Sequence, residues 1–422
     1  MSIAEVKASD GRAYGRAPAK ADEELARCGP GTSGGELLRR YWQPIATASE
    51  ATSRPQLIKV LGEELILFRD GSGTAGLLYP RCMHRGTSLL YGKVEENGIR
   101  CCYHGWLFGP EGELLETPCE PNNPIRRTLR QPWYPVVEKF GLIFAYMGPP
   151  ERQPAFPVFS IEENLEEDEE LVSFRVTFGA NGPDPKVAGK TDYNWWQMFD
   201  NYMDPFHVVI LHNTINGVQF VESLGILPEV KFRQVGDGII SIQHRKLPDG
   251  RLHQRLSQVM LPNINFTPGI TDEDLGPANI GWTVPVDDTN FTQFHLARVR
   301  KGGNRYGNFD DVGMMSPEWG PRHGRPLVEW STEDHQDWQT DYIAQKGQGD
   351  INLHSEEHLL VGDAGMGMMR RLFRQQAAKV ANGEDPIGVG IDEPYRVEVR
   401  AGNALLDPET RQCIAGFAWA TA

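Results

Sequence analysis

The sequence predicts an α+β protein of two domains, a small all-β domain followed by a larger domain in which an antiparallel sheet carries helices. Its 422 residues suggest two or three domains. Short runs rich in branched and aromatic residues recur from about 56 to 150, each bounded by Gly, Pro, Asn or Asp, which is typical of strands. After 171, strand-like and helical segments alternate, which favours α+β for the rest of the chain.

Composition and charge exclude several functional classes. The chain carries 42 Lys and Arg against 57 Asp and Glu, a formal charge of −15, and a nucleic-acid binder would instead carry a basic surface. No segment approaches the roughly 18 apolar residues that a membrane helix requires. The first residues, MSIAEVKASDGRAYGR, lack the apolar core of a signal peptide. We therefore expect a cytoplasmic protein that binds neither nucleic acid nor membranes.

Gly-rich, Pro-rich and acidic stretches, which interrupt helices and strands, divide the chain into three parts. The Gly-rich turn before residues 35–45 predicts a short helix that runs into an extended Trp-Gln-Pro segment. The proline-rich stretch that starts at 149 marks a boundary, and the acidic residues 161–170 are typical of a solvated linker. The predicted parts are an N-terminal extension and helix (1–40), a small β domain (41–155) and a larger α+β domain (156–422).

The larger domain shows both kinds of periodicity. Its strand-like runs are LVSFRVTF (171–178), IISIQH (239–244), LSQVMLPNI (256–264) and TQFHLARV (292–299). Its helical segments are roughly 191–212, 333–346 and 363–382. This alternation predicts a sheet with helices packed to one side.

Two short motifs in the small domain carry metal-binding residues. Sixteen residues separate Cys82 and His84 from Cys101 and His104, and both pairs lie on predicted hairpin loops. Zinc fingers place both cysteines before both histidines, whereas here Cys and His alternate. A [2Fe–2S] cluster with two thiolates on one iron and two imidazoles on the other would take one ligand of each kind from each loop. The alternation favours the iron–sulfur cluster over zinc.

These motifs, CMHRGTSLLYG and CCYHGWLFG, resemble those of Rieske proteins. The resemblance implies that Cys82, His84, Cys101 and His104 are the ligands of a Rieske [2Fe–2S] cluster, with Cys101 chosen over its neighbour by the C-x2-H spacing. It also implies that the glycines at 86 and 105 allow the backbone to approach the cluster. The family usually has Pro at positions 83 and 102, where Met and Cys stand here, and neither is a ligand position.

A second set of metal-binding residues follows the pattern D-x3-D-x2-H-x4-H at 200–212. On a helix Asp204 and His207 share a face, but His207 and His212 are five residues apart, about 140° around an ideal helix. Both histidines reach one metal only if the helix bends, carries a bulge or ends between them, and the polar residues 213–214 and Gly217 favour an ending. Two histidines and a carboxylate form the facial triad of non-haem Fe(II) oxygenases.

The surrounding stretch, NWWQMFDNYMDPFH, resembles the catalytic-domain signature of Rieske ring-hydroxylating oxygenases. The resemblance implies a mononuclear non-haem iron held by His207 and His212 and a helix-grip-like catalytic domain. The third ligand of this iron would be a carboxylate in STEDHQDWQTDYIAQKGQG. In the family this ligand lies shortly before a Gln-Gly turn and a Glu-His-Leu segment, which favours Asp341, with Asp337 next and Asp334 after it.

Asp204 has a separate role in the enzymes that the sequence resembles. The acid before the first iron histidine there joins it to a Rieske histidine of a neighbouring subunit, which implies a path His207–Asp204–His104 and a homotrimer or a hexamer. Asp200 stands where many relatives have Glu, and its role stays open.

The resemblance spans nearly the whole chain and is closest to the phthalate dioxygenase lineage, as in RCGPGTSGGELLRRYWQPI, LGEELILFRD and GDAGMGMMRRLF. It implies the terminal oxygenase of a multicomponent system that uses O2 and electrons from NAD(P)H, delivered by a separate reductase. The substrate would be aromatic and carboxylated, and the reaction a phthalate-type dihydroxylation or an O-demethylation.

Two questions about function stay open in the sequence. A carboxylated substrate calls for an arginine in the pocket, for which Arg245 and Arg251 are candidates, although a surface location is favoured for either. The competing functions are a Rieske electron-transfer protein without oxygenase activity of its own and a binding protein stabilised by zinc.

Overall fold

The computed structural model describes most of the chain. The described residues are 17–163, 165–176, 190–215, 222–269, 277–301, 327–407, 409–410 and 413–416. Most of the predicted N-terminal extension and the predicted helix breaker Gly217 lie outside these ranges. In the described part, no helix is both long enough and apolar enough to cross a membrane.

Helices are short apart from the last one. The α-helices are α1 (Glu23–Ala26), α2 (Ser33–Leu38), α3 (Trp195–Asn201), α4 (Phe206–Val209), α5 (Thr332–Asp337), α6 (Asp341–Lys346) and α7 (Ala364–Ala381), and a π-helix spans Ile210–Ile215. Single 3-10 turns span Ala48–Glu50, Leu89–Tyr91, Pro124–Arg127, Pro150–Arg152, Ser160–Glu162, Glu222–Gly225, Leu327–Glu329, His354–Glu356 and Val361–Asp363.

Two predicted helices are each interrupted. The segment predicted at 191–212 begins only at Trp195, where Asn194 caps α3 by accepting the Trp196 N–H. It breaks before Pro205, which cannot donate a backbone hydrogen bond. The segment predicted at 333–346 becomes two helices, because Trp338 adopts an extended conformation and Thr340 caps α6. Each interruption places one of the predicted site carboxylates, Asp204 or Asp341, near a helix terminus.

The first part of the chain forms three small sheets. Their strands are β1 (Gln43–Thr47), β2 (Gln56–Val60), β3 (Glu63–Arg69), β4 (Ala75–Leu78), β5 (Lys93–Glu95), β6 (Gly98–Arg100), β7 (Leu107–Phe108), β8 (Leu114–Glu116), β9 (Val136–Lys139) and β10 (Leu142–Ala145). They pair in the orders β1-β10-β9, β2-β3-β4 and β5-β6-β7-β8. All these pairings are antiparallel.

A nine-stranded antiparallel sheet dominates the second part. The remaining strands are β11 (Val158–Phe159), β12 (Glu169–Val176), β13 (Glu229–Val235), β14 (Gly238–Lys246), β15 (Leu252–Met260), β16 (Ile264–Pro268), β17 (Pro277–Asp287), β18 (Asn290–Arg300), β19 (Arg396–Val397), β20 (Gly402–Leu406) and β21 (Cys413–Gly416). The sheet order is β12-β18-β17-β16-β15-β14-β13, with β20 paired to β15 and β21 to β20, while β11 pairs with β19. The predicted α+β class is therefore confirmed.

One face of this sheet lies against the helices. Phe232 on β13, which is paired with Ser241, packs closely on Gly365 of α7. Gln293 on β18 donates a hydrogen bond to Tyr202, just after α3. The side chains that alternate onto this face of β14 and β15 are consequently buried although many are polar.

Strand β3 separates two hydrophobic cores. Because successive side chains of a strand point to opposite faces, Leu65 and Leu67 join the main core, whereas Ile66 and Phe68 join a smaller core beneath the Cys–His loops. The main core is continuous from α1 through these small sheets to the large sheet. In it Phe144 of β10 meets Trp282 of β17 at a ring distance of 5.7 Å.

Candidate metal centres

The two Cys–His loops of the first part share one backbone geometry. Gly86 donates its N–H to the Cys82 carbonyl at 2.8 Å, and Gly105 donates to the Cys101 carbonyl at 3.1 Å. The N–H of each cysteine in turn donates to the backbone carbonyl of the residue that follows the glycine, at 2.9 and 2.8 Å. Both glycines have φ near +75° (76 and 74), which other residues rarely adopt. Cys101 is buried, whereas Cys102 is exposed.

The four side chains of these loops form a donor set that suits a [2Fe–2S] cluster. The thiols of Cys82 and Cys101 are buried, interact directly, and the pKa of Cys82 is raised to about 11, chiefly by burial. The imidazoles of His84 and His104 lie together, with ring centroids 4.5 Å apart. His84 also stacks on Trp106 at 4.5 Å. Two adjacent thiols and two adjacent imidazoles match the ligands of a Rieske cluster.

A buried glutamine, which sequence reasoning missed, fixes the first loop. Gln131 is fully buried, and its amide donates to the carbonyls of Tyr79 and Arg81 at 3.0 and 2.8 Å. Its oxygen accepts the Met83 N–H at 2.9 Å. Nothing in the local sequence separates this glutamine from a surface residue, because its partners lie 48 to 52 residues away.

The second centre lies in the catalytic part, where three predicted residues meet. Atoms of His207, His212 and Asp341 that could bind a metal all lie within 4.8 Å of one another. The Asp341 carboxylate is 3.8 Å from His207 Nε2 and 3.2 Å from His212 Nε2. His207 and Asp341 are partly buried and His212 is buried. Two imidazoles and one carboxylate converging on one point suit Fe(II) with open coordination positions.

The π-helix brings together the two histidines that the α-helical repeat would separate. His207 lies in α4 and His212 in the π-helix that follows directly, where hydrogen bonds join residues five apart. The Asn213 and Thr214 side chains each donate to a carbonyl five residues earlier, at 2.9 Å. Of the three alternatives, the helix therefore bulges, and the expectation that it ends between the histidines is wrong.

The three candidate acids for the third ligand occupy different environments. Asp341 opens α6 and faces the histidines. Asp334 accepts the N–H of Ser331, the N-cap of α5, at 3.0 Å and completes the capping box, so its carboxylate is engaged in holding the helix. Asp337 is exposed. Only Asp341 of these three lies with the histidines.

Asp204 lies beside the second centre without joining the three-residue cluster. Its Oδ1 accepts the N–H groups of Phe206 and His207 at 2.9 and 3.3 Å, and its Oδ2 is 3.7 Å from His207 Nδ1. Burial acts to raise the pKa of Asp204, but His207 and these donors hold it below its usual value. The His207 Nδ1 is buried with no hydrogen-bond partner in the described structure. The Asp204 side chain is 31% exposed and therefore accessible from outside the chain.

Asp200 has a structural partner instead of a place in the metal site. It is ion-paired with Arg370 of α7, whose guanidinium also bonds Glu357 at 2.8 Å. Burial raises the pKa of Asp200 to about 6, against the opposing effect of Arg370. This buried ion pair joins α3 to α7.

The two arginine candidates for a substrate carboxylate differ in location. Arg251 is exposed and pairs with Asp249, as expected for a surface residue. Arg245 is 0% exposed, so the surface location favoured for it is wrong. The polar residues of β14 alternate with apolar ones, a pattern typical of a solvated face, but in this sheet the polar face is covered by helices.

Comparisons with known proteins identify the family. The Rieske [2Fe–2S] domain family matches residues 41–139. The phenoxybenzoate dioxygenase subunit alpha of Ectopseudomonas oleovorans is 47% identical over 93% of this chain and 94% of its own length. The tert-butanol monooxygenase / tert-amyl alcohol desaturase oxygenase subunit of Aquincola tertiaricarbonis is 36% identical over 87% of this chain and 78% of its own.

A solved structure supports the fold. Dicamba monooxygenase bound to 3,6-dichlorosalicylic acid superposes with a TM-score of 0.58 at 19% identity, covering 82% of this chain and 99% of its own. The predicted resemblance, fold and pair of cofactors are confirmed. The chain belongs to the Rieske non-haem iron oxygenases, as the terminal oxygenase component that carries a Rieske [2Fe–2S] cluster and a mononuclear iron.

Proposed function

We propose that this oxygenase hydroxylates an aromatic carboxylate, by dihydroxylation or O-demethylation, with electrons from NAD(P)H delivered by a separate reductase. The observation that carries the proposal is the convergence of His207, His212 and Asp341 in a chain that also has a complete set of cluster ligands. If the protein only transferred electrons, the second group of converging metal-binding residues would have no function. The aromatic, carboxylated substrate follows the name of the phenoxybenzoate relative.

In this proposal Cys82, Cys101 and two imidazoles bind the cluster, and His207, His212 and Asp341 bind the iron. The iron, when bound, supplies dioxygen activation at positions that the protein leaves open. The chain's own task is to hold those ligands in one orientation. The π-helix does so for the histidines, and the cap on α6 does so for the carboxylate.

Asp204 is the proposed link between the two centres. Its described polar contacts are local to its own loop and to His207, so the second imidazole that it needs comes from outside the chain. We assign this role to His104 of the partner subunit, in a homotrimer or a hexamer. A carboxylate between two imidazoles would accept a proton from each and fix the ring orientation of both.

The ligand assignment is tested by variants that separate the two centres. His207→Ala and Asp341→Asn should each lower the bound mononuclear iron at least 10-fold and abolish product formation, because each removes one of three ligands. The visible spectrum of the cluster should stay unchanged. Asp337→Asn, an exposed acid four residues from Asp341, is the matched control and should retain iron and turnover. Full turnover in His207→Ala would contradict the assignment.

The substrate class is tested separately, with the wild-type protein and a surrogate reductase. Phthalates, methoxybenzoates and phenoxybenzoate are compared with the neutral alcohols that correspond to them, by oxygen consumption and product analysis. We expect oxygen uptake coupled to product with at least one of these acids. Uptake coupled only to neutral compounds would overturn the proposed carboxylate, without affecting the iron ligands.

A further inference from the structure

Arg245 is a buried cation whose terminal nitrogens have no partner. It lies near the end of β14, on the sheet face that packs against the helices, and is 0% exposed. Its Nε donates to the Ile226 carbonyl at 3.0 Å. Both terminal guanidinium nitrogens are buried without a hydrogen-bond partner in the described structure. Four of the five N–H donors of this side chain are therefore unused.

A second buried arginine on the neighbouring strand shows how the fold satisfies such a group when its role is structural. Arg255 on β15 is 5% exposed, and its guanidinium donates to the carbonyls of Gly269 and Pro268 and to the Asn403 side chain. These acceptors use the same terminal nitrogens that Arg245 leaves free. The open donors of Arg245 are thus not a general consequence of burying arginine in this sheet.

The physical cost of this arrangement points to an anionic ligand. A buried charge without a partner is strongly unfavourable, and no ion pair with a described carboxylate offsets it at Arg245. Burial lowers the pKa of Arg245 to about 10, so the side chain is still charged at neutral pH. A planar guanidinium with both terminal nitrogens free is matched in geometry to a carboxylate, which it binds through two parallel hydrogen bonds.

A short segment of chain links Arg245 to the residues of the iron site. Its acceptor Ile226 follows the 3-10 turn Glu222–Gly225. A Cβ on Gly225 would lie 3.3 Å from the Asn213 side chain, and Asn213 is adjacent to the iron-site residue His212. One turn of chain therefore separates the carbonyl that accepts from Arg245 from the π-helix that carries His212.

We propose that Arg245 binds the carboxylate of the substrate and determines the preference for anionic over neutral aromatic compounds. This inference rests on the proposed function and adds to it the residue that recognises the acid. The family alone does not fix the substrate class, since one relative is named for an aromatic acid and another for an aliphatic alcohol.

The test compares a carboxylate with its neutral counterpart in the fully loaded oxygenase. Phenoxybenzoate and phenoxybenzyl alcohol are titrated into wild type, Arg245→Met and Arg245→Lys, and Kd is measured by calorimetry. Because a hydrogen-bonded charge pair is lost, Arg245→Met should weaken phenoxybenzoate binding on the order of 10- to 100-fold and leave the alcohol within about 3-fold. Arg245→Lys keeps the positive charge but lacks the paired N–H donors of the guanidinium, and it should restore part of the affinity for phenoxybenzoate.

Matched controls separate recognition from folding and from catalysis. Arg251→Met removes an exposed arginine of the same hairpin and should change neither Kd. Phenoxybenzoate should raise the Tm of wild type and not that of Arg245→Met, a readout that needs no turnover. His207→Ala should still bind the acid although it makes no product. Equal losses for acid and alcohol in Arg245→Met, or unchanged binding of the acid, would overturn the inference.

Discussion

Asp237 offers the most direct quantitative test of the packing between the large sheet and the C-terminal segment. It lies in the turn between β13 and β14, is 3% exposed, and accepts a hydrogen bond from the Tyr395 hydroxyl at 3.0 Å. Burial, only partly opposed by this hydrogen bond, raises the pKa of the carboxyl from 3.8 to about 6. We expect Asp237→Asn, which keeps the shape and the acceptor, to stabilise the protein at neutral pH.

The magnitude follows from the pKa difference between the folded and unfolded states. A raised folded-state pKa means that the unfolded chain releases its proton first, between pH 4 and 6, so wild-type stability falls as pH rises through this window. Above pH 6 the loss of wild-type stability no longer changes with pH, and a pKa difference of two units amounts to about 3 kcal/mol of that stability. The asparagine variant lacks this dependence and should melt higher at pH 7.5, by on the order of 5 °C.

The assay is the Tm of the loaded oxygenase between pH 4.5 and 8, with Asp337→Asn as the control for the loss of one negative charge at an exposed site. The difference in Tm between Asp237→Asn and wild type should be largest above pH 6 and should shrink as the pH falls toward 4. A difference that is independent of pH, or an asparagine variant that melts lower at pH 7.5, would refute the reasoning.

Two further predictions concern the helices around the iron site. Asp204→Asn should keep both cofactors but slow cluster reoxidation in the presence of substrate 10- to 100-fold, as is typical when a partner of a metal-bound histidine is lost; a rate like that of wild type, measured by stopped-flow absorbance, would argue against the link. Arg370→Met should lower the free energy of unfolding by about 3–5 kcal/mol because it leaves the carboxylates of Asp200 and Glu357 buried without their cation. The exposed neighbour Arg371, replaced in the same way, should have little effect on Tm, and equal losses in both variants would contradict the buried ion pair.

The sequence predicts the ligands better than the geometry that unites them. The motif spacing and the resemblance that it carries predict Cys82, His84, Cys101 and His104 as one set, because these residues are close in sequence and their loops repeat one pattern. For His207 and His212 it gives three alternatives, and the choice depends on side-chain bonds to the backbone within the π-helix. Hydrogen bonds of this kind, between a side chain and a nearby backbone carbonyl, leave no periodic pattern in the sequence from which the π-helix could be predicted.

Residues whose role depends on distant partners escape sequence reasoning altogether. Gln131 acts on a loop about fifty residues earlier, and Arg245 lies in a strand whose alternation is typical of a solvated face. Only the helices that cover that face, which come from elsewhere in the chain, make the arginine a buried one. Tertiary burial thus decides both cases, and a single sequence does not encode it in a readable pattern.

The position of β3 between two cores limits how this oxygenase can deliver electrons. A domain that moves between an electron donor and an electron acceptor needs a hinge and a surface that it can leave without exposing apolar side chains. Here β3 buries alternate side chains in two different cores. Moving the Cys–His loops and the sheet β5-β6-β7-β8 away from β3 would expose Ile66 and Phe68 to water, at about 1.5–3 kcal/mol for each side chain. The position of the cluster loops on β3 is therefore fixed by this packing, which disfavours their movement as a separate carrier domain.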